Sequence, residues 1–539
     1  MRLLSVLLLL AACNPSGEDT GDTGITVDPA AFDAIRSAVL NDLRRSAATG
    51  AQVAIWYHGQ VIFSEGFGTA DPDADVPVTP TTLFQFGSDE KKLTAIGLLQ
   101  QVRAGRVSLD ETLSDALPDL HFALDPTWSD QITVRDLISH QTALFDYTPW
   151  TSDPDDAQLA GRAYGRFADH EYAMGPPGVF WNYANPNFSL AGLVAEEASG
   201  TAWPDLMEHN VFRLLGMDRT FARLSEVRDD GEYAVGTGIS FTNGMDEFEP
   251  FDPNPSYTVG RIDMADQVDN AFTRPAGLVW STAEDMTRVA AFLMDGDPIV
   301  LPDDLRRQIT TAQIGLYPGV DPSVLGYGFG IMVGQGWNWA GNYYDMPVWH
   351  HGGNTLAMTS TFYILPTERL AVCVLSNGYG DSFLRTVGTT FSQIPDLPAP
   401  VDPPTLLPPP SDLASYAGTW EDPYGVGTVT LSWDGDALTV SMPDLEDAGN
   451  TVSPTVTAVY RDIFTVNIDG GTLDLRLYDG PNGEPHQYMV DRLFVATRST
   501  ERAAHPPPLH PLRPADFTRP RTGPELGLVG PPGTFGLPD

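Results

Sequence analysis

Lysine is nearly absent from this 539-residue chain: Lys91 and Lys92 are the only two, and arginine makes up the rest of its 30 basic residues. Positive charge is scarce altogether. The 71 acidic residues bring the formal net charge to −41, and a chain with no basic stripe to set against phosphates is excluded as a nucleic-acid binder. Cysteine occurs twice, at Cys13 and Cys373, which leaves no basis for a disulfide framework. The apolar run after Arg2 is too short to cross a bilayer as a helix. What is present is length enough for two folded domains, each able to bury a core. The shortage of lysine gives the one pair its weight. A guanidinium stays protonated in a protein, whereas burial and neighbours can tune an ammonium to release its proton, so a lysine kept at one place suggests proton transfer.

The segment MRLLSVLLLLAACNPSGEDTGDTG reads as an export signal. Small residues ahead of Cys13 resemble the lipobox of bacterial lipoproteins. Residues 1–12 are therefore expected to be a signal peptide, Cys13 the lipid-modified first mature residue, and residues 13–28 a flexible tether in the cell envelope. An ordinary signal peptide with a chance cysteine is the plainer alternative.

From residue 29 to 395 the pattern is that of one mixed α/β domain. Asp28-Pro29, followed by Phe32, Ile35, Val39 and Leu43, gives a cap, a first-turn proline and helical spacing. AQVAIWY and VIFSEGFG flank His58-Gly59 as a hairpin, and STFYIL and LAVCVLSN form a second one some 300 residues later, before a helix-like DSFLRTVGTTFSQI. Strands at both ends with mostly helical sequence between predict a sheet built from the two ends, with a helical subdomain inserted. Residues 396–411 are too rich in proline for regular structure and read as a linker. Residues 412–500 alternate short strands with Asp-Gly, Asn-Gly and Gly-Gly turns, the mark of a small antiparallel β-domain, barrel or sandwich. Residues 501–539 form a Pro/Gly-rich tail with little apolar periodicity, expected to be disordered.

Ser88 and Lys91 stand at i and i+3 and so share a helix face. Ser88 follows Gly87 at the predicted helix start, where free backbone N–H groups favour an oxyanion. A serine hydroxyl needs a base to become a nucleophile, and a desolvated Lys91 could be that base. Lys92 points about a third of a turn away and is expected to be a bystander. Leu93, Ile96, Leu99 and Val102 would form the buried side of the helix. Taken alone, a capping serine and a surface lysine explain the same residues.

Three further stretches follow in order: PPGVFWNYANPNFSLAGLVAE with Tyr183-Ala184-Asn185, RPAGLVWSTAEDMTRVAAFL, and VWHHGGNTLAMTSTFYILP with His351-Gly352-Gly353. With Ser88-x-x-Lys91 these resemble the serine β-lactamase and penicillin-binding-protein superfamily, in its class C-like branch of D,D-carboxypeptidases, D-aminopeptidases and esterases. The resemblance covers roughly residues 31 to 395. It implies a β-lactamase/transpeptidase-like fold and an acyl-enzyme serine hydrolase acting on an ester or a D-amino-acid amide or peptide, without metal or other cofactor. A silent envelope protein that binds peptidoglycan peptides or a partner is the alternative outside enzymes, and a β-lactamase the alternative within them. By resemblance Ser88 would be the nucleophile, and Lys91 and Tyr183 would share proton transfer, the phenol acting as a base if cations hold its pKa down. Asn185 would bind the lysine or the substrate amide. His351 and Gly353 would lie on the substrate-binding strand, and the amides of Ser88 and Asn354 would make an oxyanion hole.

The departures matter. His351-Gly352-Gly353 replaces the Lys-Thr-Gly usual in β-lactamases, which removes the ammonium and hydroxyl that grip a β-lactam carboxylate and favours an esterase or peptidase. Asp89 and Glu90 replace a neutral pair, and either one facing inward would raise the Lys91 pKa. Ala143 and Ala357 stand where glycine is usual. Competing readings are weaker. There is no Gly-x-Ser-x-Gly elbow, His170-Glu171 lacks a zincin's second histidine, and the run Asp71, Asp73, Asp75 lacks the glycine and closing glutamate of a Ca²⁺ loop.

Overall fold

The computed structural model describes residues 27–123, 126–170, 172–241, 257–404 and 410–499, together with Pro508 and Leu512. The signal peptide, Cys13, nearly all of the tether, part of the linker and all but two residues of the tail lie outside the described residues.

The chain enters through helix α1 (Pro29–Leu43), started by Asp28, whose carboxylate accepts from the Ala30 amide at 2.9 Å. The main sheet has nine strands: β1 (Gly50–Tyr57), β2 (Gln60–Asp71), β3 (Val76–Pro77), β4 (Ile314–Gly315), β5 (Leu325–Tyr327), β6 (Met332–Trp339), β7 (Asn342–Asn354), β8 (Thr359–Leu365) and β9 (Leu370–Ser376). Their order is β3-β2-β1-β9-β8-β7-β6-β5-β4, with every neighbouring pair antiparallel. The two ends of the domain therefore meet at β1 and β9, where Ala54 faces Cys373. The continuous apolar run of β9 follows from burial on both faces. Val372 and Val374 pack with Ile35 and Val39 of α1 and with Val387 and Phe391 of helix α4 (Leu384–Gln393), while Ala371, Cys373 and Leu375 point into the helical subdomain.

At the centre of that subdomain lies helix α2 (Lys91–Arg103), and every residue from Lys91 to Gln101 is buried. The predicted single apolar side is too narrow. Ala95 and Leu98 are as buried as Leu93, Ile96 and Leu99, while Val102 is only partly covered, because sheet, helix α3 (Asn185–Ser199) and the Met207–Val211 segment surround α2. A helix enclosed on all sides cannot be recognised from one stripe.

The C-terminal unit is an eight-stranded antiparallel sheet formed by β10 (Gly418–Asp422), β11 (Gly427–Trp433), β12 (Leu438–Ser441), β13 (Thr457–Tyr460), β14 (Ile463–Ile468), β15 (Gly471–Tyr478), β16 (Tyr488–Asp491) and β17 (Phe494–Ser499). The order β12-β11-β10-β17-β16-β15-β14-β13, with a bridge from Thr439 to Thr455, makes it nearly barrel-shaped. Leu512, 1% exposed, joins its core, and the Leu512 amide donates to the Gly425 carbonyl. This unit packs directly on the segment from Tyr172 to Tyr183. Tyr424 stacks on Tyr172 with ring centroids 4.1 Å apart, Tyr478 meets Phe180, and Ile463 shares a cluster with Trp181 and Tyr183.

Candidate active site

The turn that carries Ser88 is set by close backbone approach. Gly87 adopts φ +60°, and a Cβ there would lie 2.7 Å from the Asn354 nitrogen, so only glycine fits. Gly353 is equally confined, since its Cβ would meet the Phe86 carbonyl oxygen and come within 2.8 Å of the Ser88 nitrogen. The end of β7 thus lies against Phe86–Ser88 and brings the Ser88 and Asn354 amides side by side. Gly87–Glu90 forms a 3-10 turn that runs into α2 and leaves Ser88 only 3% exposed. The side-chain oxygen of Asn354 accepts from Thr359 Oγ1 and the Gly380 amide, which fixes that side chain beside the end of β7.

Lys91, Tyr183 and Asn185 converge on Ser88. Lys91 Nζ lies 3.0 Å from Ser88 Oγ, 2.8 Å from Asn185 Oδ1 and 2.7 Å from the Ala276 carbonyl oxygen. Tyr183 donates its hydroxyl to Ser88 Oγ at 2.8 Å. The Asn185 amide is oriented by Thr148 Oγ1, to which its Nδ2 donates at 2.7 Å. Two of the three Lys91 contacts are oxygens that can only accept. A neutral amine has two hydrogens and one lone pair, so Asn185 and Ala276 take both hydrogens and the lone pair is left for the Ser88 hydroxyl. Burial pushes the Lys91 pKa well below the usual lysine value, with opposing contributions from Asp146, which raises it, and Arg492, which lowers it.

Tyr183 differs from the predicted base. Arg492 lies over its ring at 4.7 Å, yet burial outweighs this cation and raises the phenol pKa above its ordinary value. Its resting form is the phenol, a donor. His351 is also not a charged anchor. Nδ1 lies 2.6 Å from the Gly352 carbonyl, which can only accept, so Nδ1 carries the hydrogen and Nε2 accepts from Tyr327 Oη at 3.0 Å. Fully buried, with its pKa held well below the usual value by desolvation, His351 is a neutral strut beside the site.

Several contributors have no sequence signal. His140, in the left-handed region at φ +57°, accepts the Ala184 amide at Nδ1 and so fixes the backbone next to Tyr183. Asp146 accepts the Asn185 amide at 2.7 Å and pairs with Arg492, which belongs to the β16–β17 turn of the C-terminal domain, at 2.5 Å. Lys92 does not reach the surface. It is fully buried, and its Nζ donates to the Asp89 side chain at 2.5 Å and to the Asp89 carbonyl at 2.9 Å. Asp89 and Glu90 do turn inward as feared, but the desolvation of Lys91 outweighs their field, and burial raises the pKa of Glu90 itself far above the carboxylate range. Ala143 takes the φ of +55° that glycine would hold more cheaply, whereas Ala357 needs no positive φ.

The constellation of a buried lysine and tyrosine on one serine, beside two facing backbone amides, fits covalent acyl transfer. A family model described as Beta-lactamase matches residues 35–391, well over half of the chain. The chain belongs to the Beta-lactamase family. It is thus a serine hydrolase-type chain of class C-like fold with an added, nearly barrel-shaped domain. Among its relatives, penicillin-binding protein 4 of Amycolatopsis lactamdurans is 26% identical over 404 residues, covering 72% of this chain and 96% of that protein. A crystal structure of SurE with D-Leu superposes with a TM-score of 0.58 at 21% identity over 88% of this chain and all of the other, so the shared fold includes the C-terminal domain. A D-amino acid amidase from Ochrobactrum anthropi SV3, complexed with D-phenylalanine, has a TM-score of 0.53 at 22% identity over 68% of this chain and 99% of its own.

Proposed function

We propose that this Beta-lactamase family member hydrolyses a D-amino-acid amide, peptide or ester through an acyl-enzyme on Ser88. The observation that carries the reading is that Lys91 and Tyr183 both lie within hydrogen-bond distance of Ser88 Oγ, while Asn185 and Ala276 engage both hydrogens of the neutral Lys91 amine and leave its lone pair for the serine. Lys91 takes the Ser88 proton as Oγ attacks the carbonyl carbon. The oxygen of that carbonyl gathers negative charge beside the amides of Ser88 and Asn354. Tyr183, a phenol bridged to Ser88, passes a proton towards the leaving group and is recharged from Lys91. Water then enters by the same relay and frees the acid. Support for a D-configured substrate comes from the relatives, whose names include a penicillin-binding protein and a D-amino acid amidase. A β-lactam is a weaker fit, because the neutral, doubly bonded His351 supplies no ammonium on β7.

A fluorophosphonate probe is expected to label Ser88 and no other serine, as read by intact mass and peptide mapping. In a panel of p-nitrophenyl esters, D-amino-acid amides and nitrocefin, the first two should be turned over and nitrocefin should be slowest. Absence of label on folded protein would remove the covalent mechanism, and preferred turnover of nitrocefin would make the chain a β-lactamase.

On the small residues ahead of Cys13 we also propose that the enzyme is held in the cell envelope by a lipid anchor at that residue. One acyl chain binds a bilayer only marginally, so firm attachment requires multiple acylation at that residue. Wild-type protein should partition into detergent with its mature chain beginning at Cys13, and Cys13→Ser should stay uncleaved by the lipoprotein peptidase. A mature form without Cys13 in the aqueous phase would overturn the anchor.

A further inference from the structure

Of the carboxylates around Lys91, one acts more strongly than the rest. On its own turn, Asp89 is paired with Lys92 and burial pushes the Glu90 pKa up, so their field on Lys91 is smaller than that of Asp146. From β7 comes His351 and from the turn after residue 139 comes His140, both kept neutral by desolvation. Tyr183 and Tyr327 are phenols whose pKa values burial raises. That leaves Asp146. Its Oδ1 accepts the backbone N–H of Asn185 at 2.7 Å, and the side chain of that same residue accepts from Lys91 at 2.8 Å, so the carboxylate is held one residue away from the base. Unbalanced in a buried site, such a carboxylate would hold Lys91 as an ammonium, the form that cannot accept a proton. The partner that balances it arrives from the other domain. Arg492 pairs with Asp146 Oδ2 at 2.5 Å, both side chains are about nine-tenths buried, and the Arg492 guanidinium shares the Tyr183 ring with Lys91.

We propose that Arg492 is a positioning residue for the catalytic base: the C-terminal domain supplies it to balance the Asp146 carboxylate, and so keeps Lys91 neutral and ready to accept the Ser88 proton. The inference rests on the reading of Lys91 as the base. It makes the small β-domain a working part of the active site, which the 29–395 domain alone would lack. A guanidinium suits the position because it stays protonated, and so keeps the ion pair, at any working pH. The buried aromatic contacts between the domains, Tyr424 on Tyr172 and Ile463 against Trp181, hold the β16–β17 turn in place.

The test is the pH dependence of Ser88 acylation by an uncharged p-nitrophenyl ester, measured on the full chain with thermal melts of each variant. Removing the positive charge in Arg492→Gln leaves Asp146 to stabilise ammonium at Lys91, so the acidic limb should move to higher pH by about one unit or more, the usual effect of a nearby charge. At a fixed pH on that limb the rate then falls about ten-fold per unit. Asp146→Asn should move the limb the other way, and the double variant Asp146→Asn/Arg492→Gln should return it close to its original position. Arg492→Lys, which keeps the charge, should leave the limb near the wild-type position. An Arg492→Gln limb that does not move would overturn the proposal, as would a defect confined to KM for substrates that carry a carboxylate, which would make Arg492 a substrate contact instead. A double variant no better than the single one would also overturn it, by showing that the arginine acts through packing. Failure of wild-type Ser88 to acylate at any pH is a separate outcome, which removes the proposed function itself.

Discussion

Lys91→Arg is expected to abolish acylation of Ser88, with a loss of at least ~10² in rate, the contribution of a positioned general base. The substitution preserves positive charge and removes only the ability to become a neutral acceptor, because arginine stays protonated at any useful pH. Lys91 is fully buried, its nitrogen is divided among Ser88, Asn185 and Ala276, and desolvation favours its neutral form. A guanidinium in that space would donate to all three oxygens and leave none of its nitrogens with a lone pair for the serine proton. The backbone around Lys91 has little room to adjust, since even a Cβ on Gly330 would meet the Lys91 carbonyl carbon at 2.5 Å. Loss of activity must therefore be separated from loss of fold. Lys91→Met is the control: it removes the base with less added bulk and should lose acylation to a similar degree. The measurement is the initial rate of fluorophosphonate labelling by intact mass, with the thermal midpoint recorded for each variant. Near-native labelling by folded Lys91→Arg would show that the proton goes elsewhere.

What could be seen in the sequence was what local spacing encodes. An i,i+3 serine and lysine share a face in any helix or 3-10 turn, and the ordered stretches around Tyr183 and His351 carry the family's layout, so the grouping of Ser88 with Lys91 and Tyr183 was legible before any fold was known. The antiparallel sheet joining the two ends of the domain was legible too, because β1 and β9 are strongly apolar and hairpin-paired. The electrostatic character of the same groups was not. Whether Tyr183 is a phenol or a phenolate depends on the balance between the Arg492 guanidinium and its burial, and burial comes from Trp181, Tyr327 and the docked C-terminal domain. His351 becomes a neutral strut because burial desolvates it, and Tyr327, 24 residues earlier in the chain, occupies its Nε2. Arg492 sits in an unremarked Asp-Arg-Leu turn more than 300 residues after Tyr183, and nothing in its neighbours announces that the turn will enter another domain's site.

Lys92 shows the same limit with the largest expected consequence for stability. Helical geometry points it away from Ser88, which suggests that Lys92→Arg would be silent, but pointing away from the nucleophile here means pointing into the protein. Lys92 and Asp89 are both fully buried, and Asp89 Oδ2 and the Phe86 carbonyl oxygen both lie within hydrogen-bond reach of Ser360 Oγ, which has one hydrogen to share between them. The pair thus ties the nucleophile turn to β8, the strand whose Ser360 lies opposite Gly353 in the ladder. Lys92→Met would leave the Asp89 carboxylate buried without its cation, at a cost of about 3–5 kcal/mol. Lys92→Arg keeps the charge but must fit a larger head between Asp89 and the Phe362 ring, now 4.7 Å from Nζ, and overpacking of this kind costs about 1–3 kcal/mol. Because a buried pair is often replaceable by apolar groups of similar size, Asp89→Leu/Lys92→Met should recover most of the stability lost by Lys92→Met alone. Urea denaturation of the three variants measures this, and the labelling rate of Ser88 reads whether the turn has shifted. If Lys92→Met is as stable as wild type, Asp89 is not carrying a buried charge. If the double variant is stable but labels slowly, the pair serves the geometry of the Ser88 turn more than it serves the fold, since a purely structural pair could be replaced without moving the oxyanion amides.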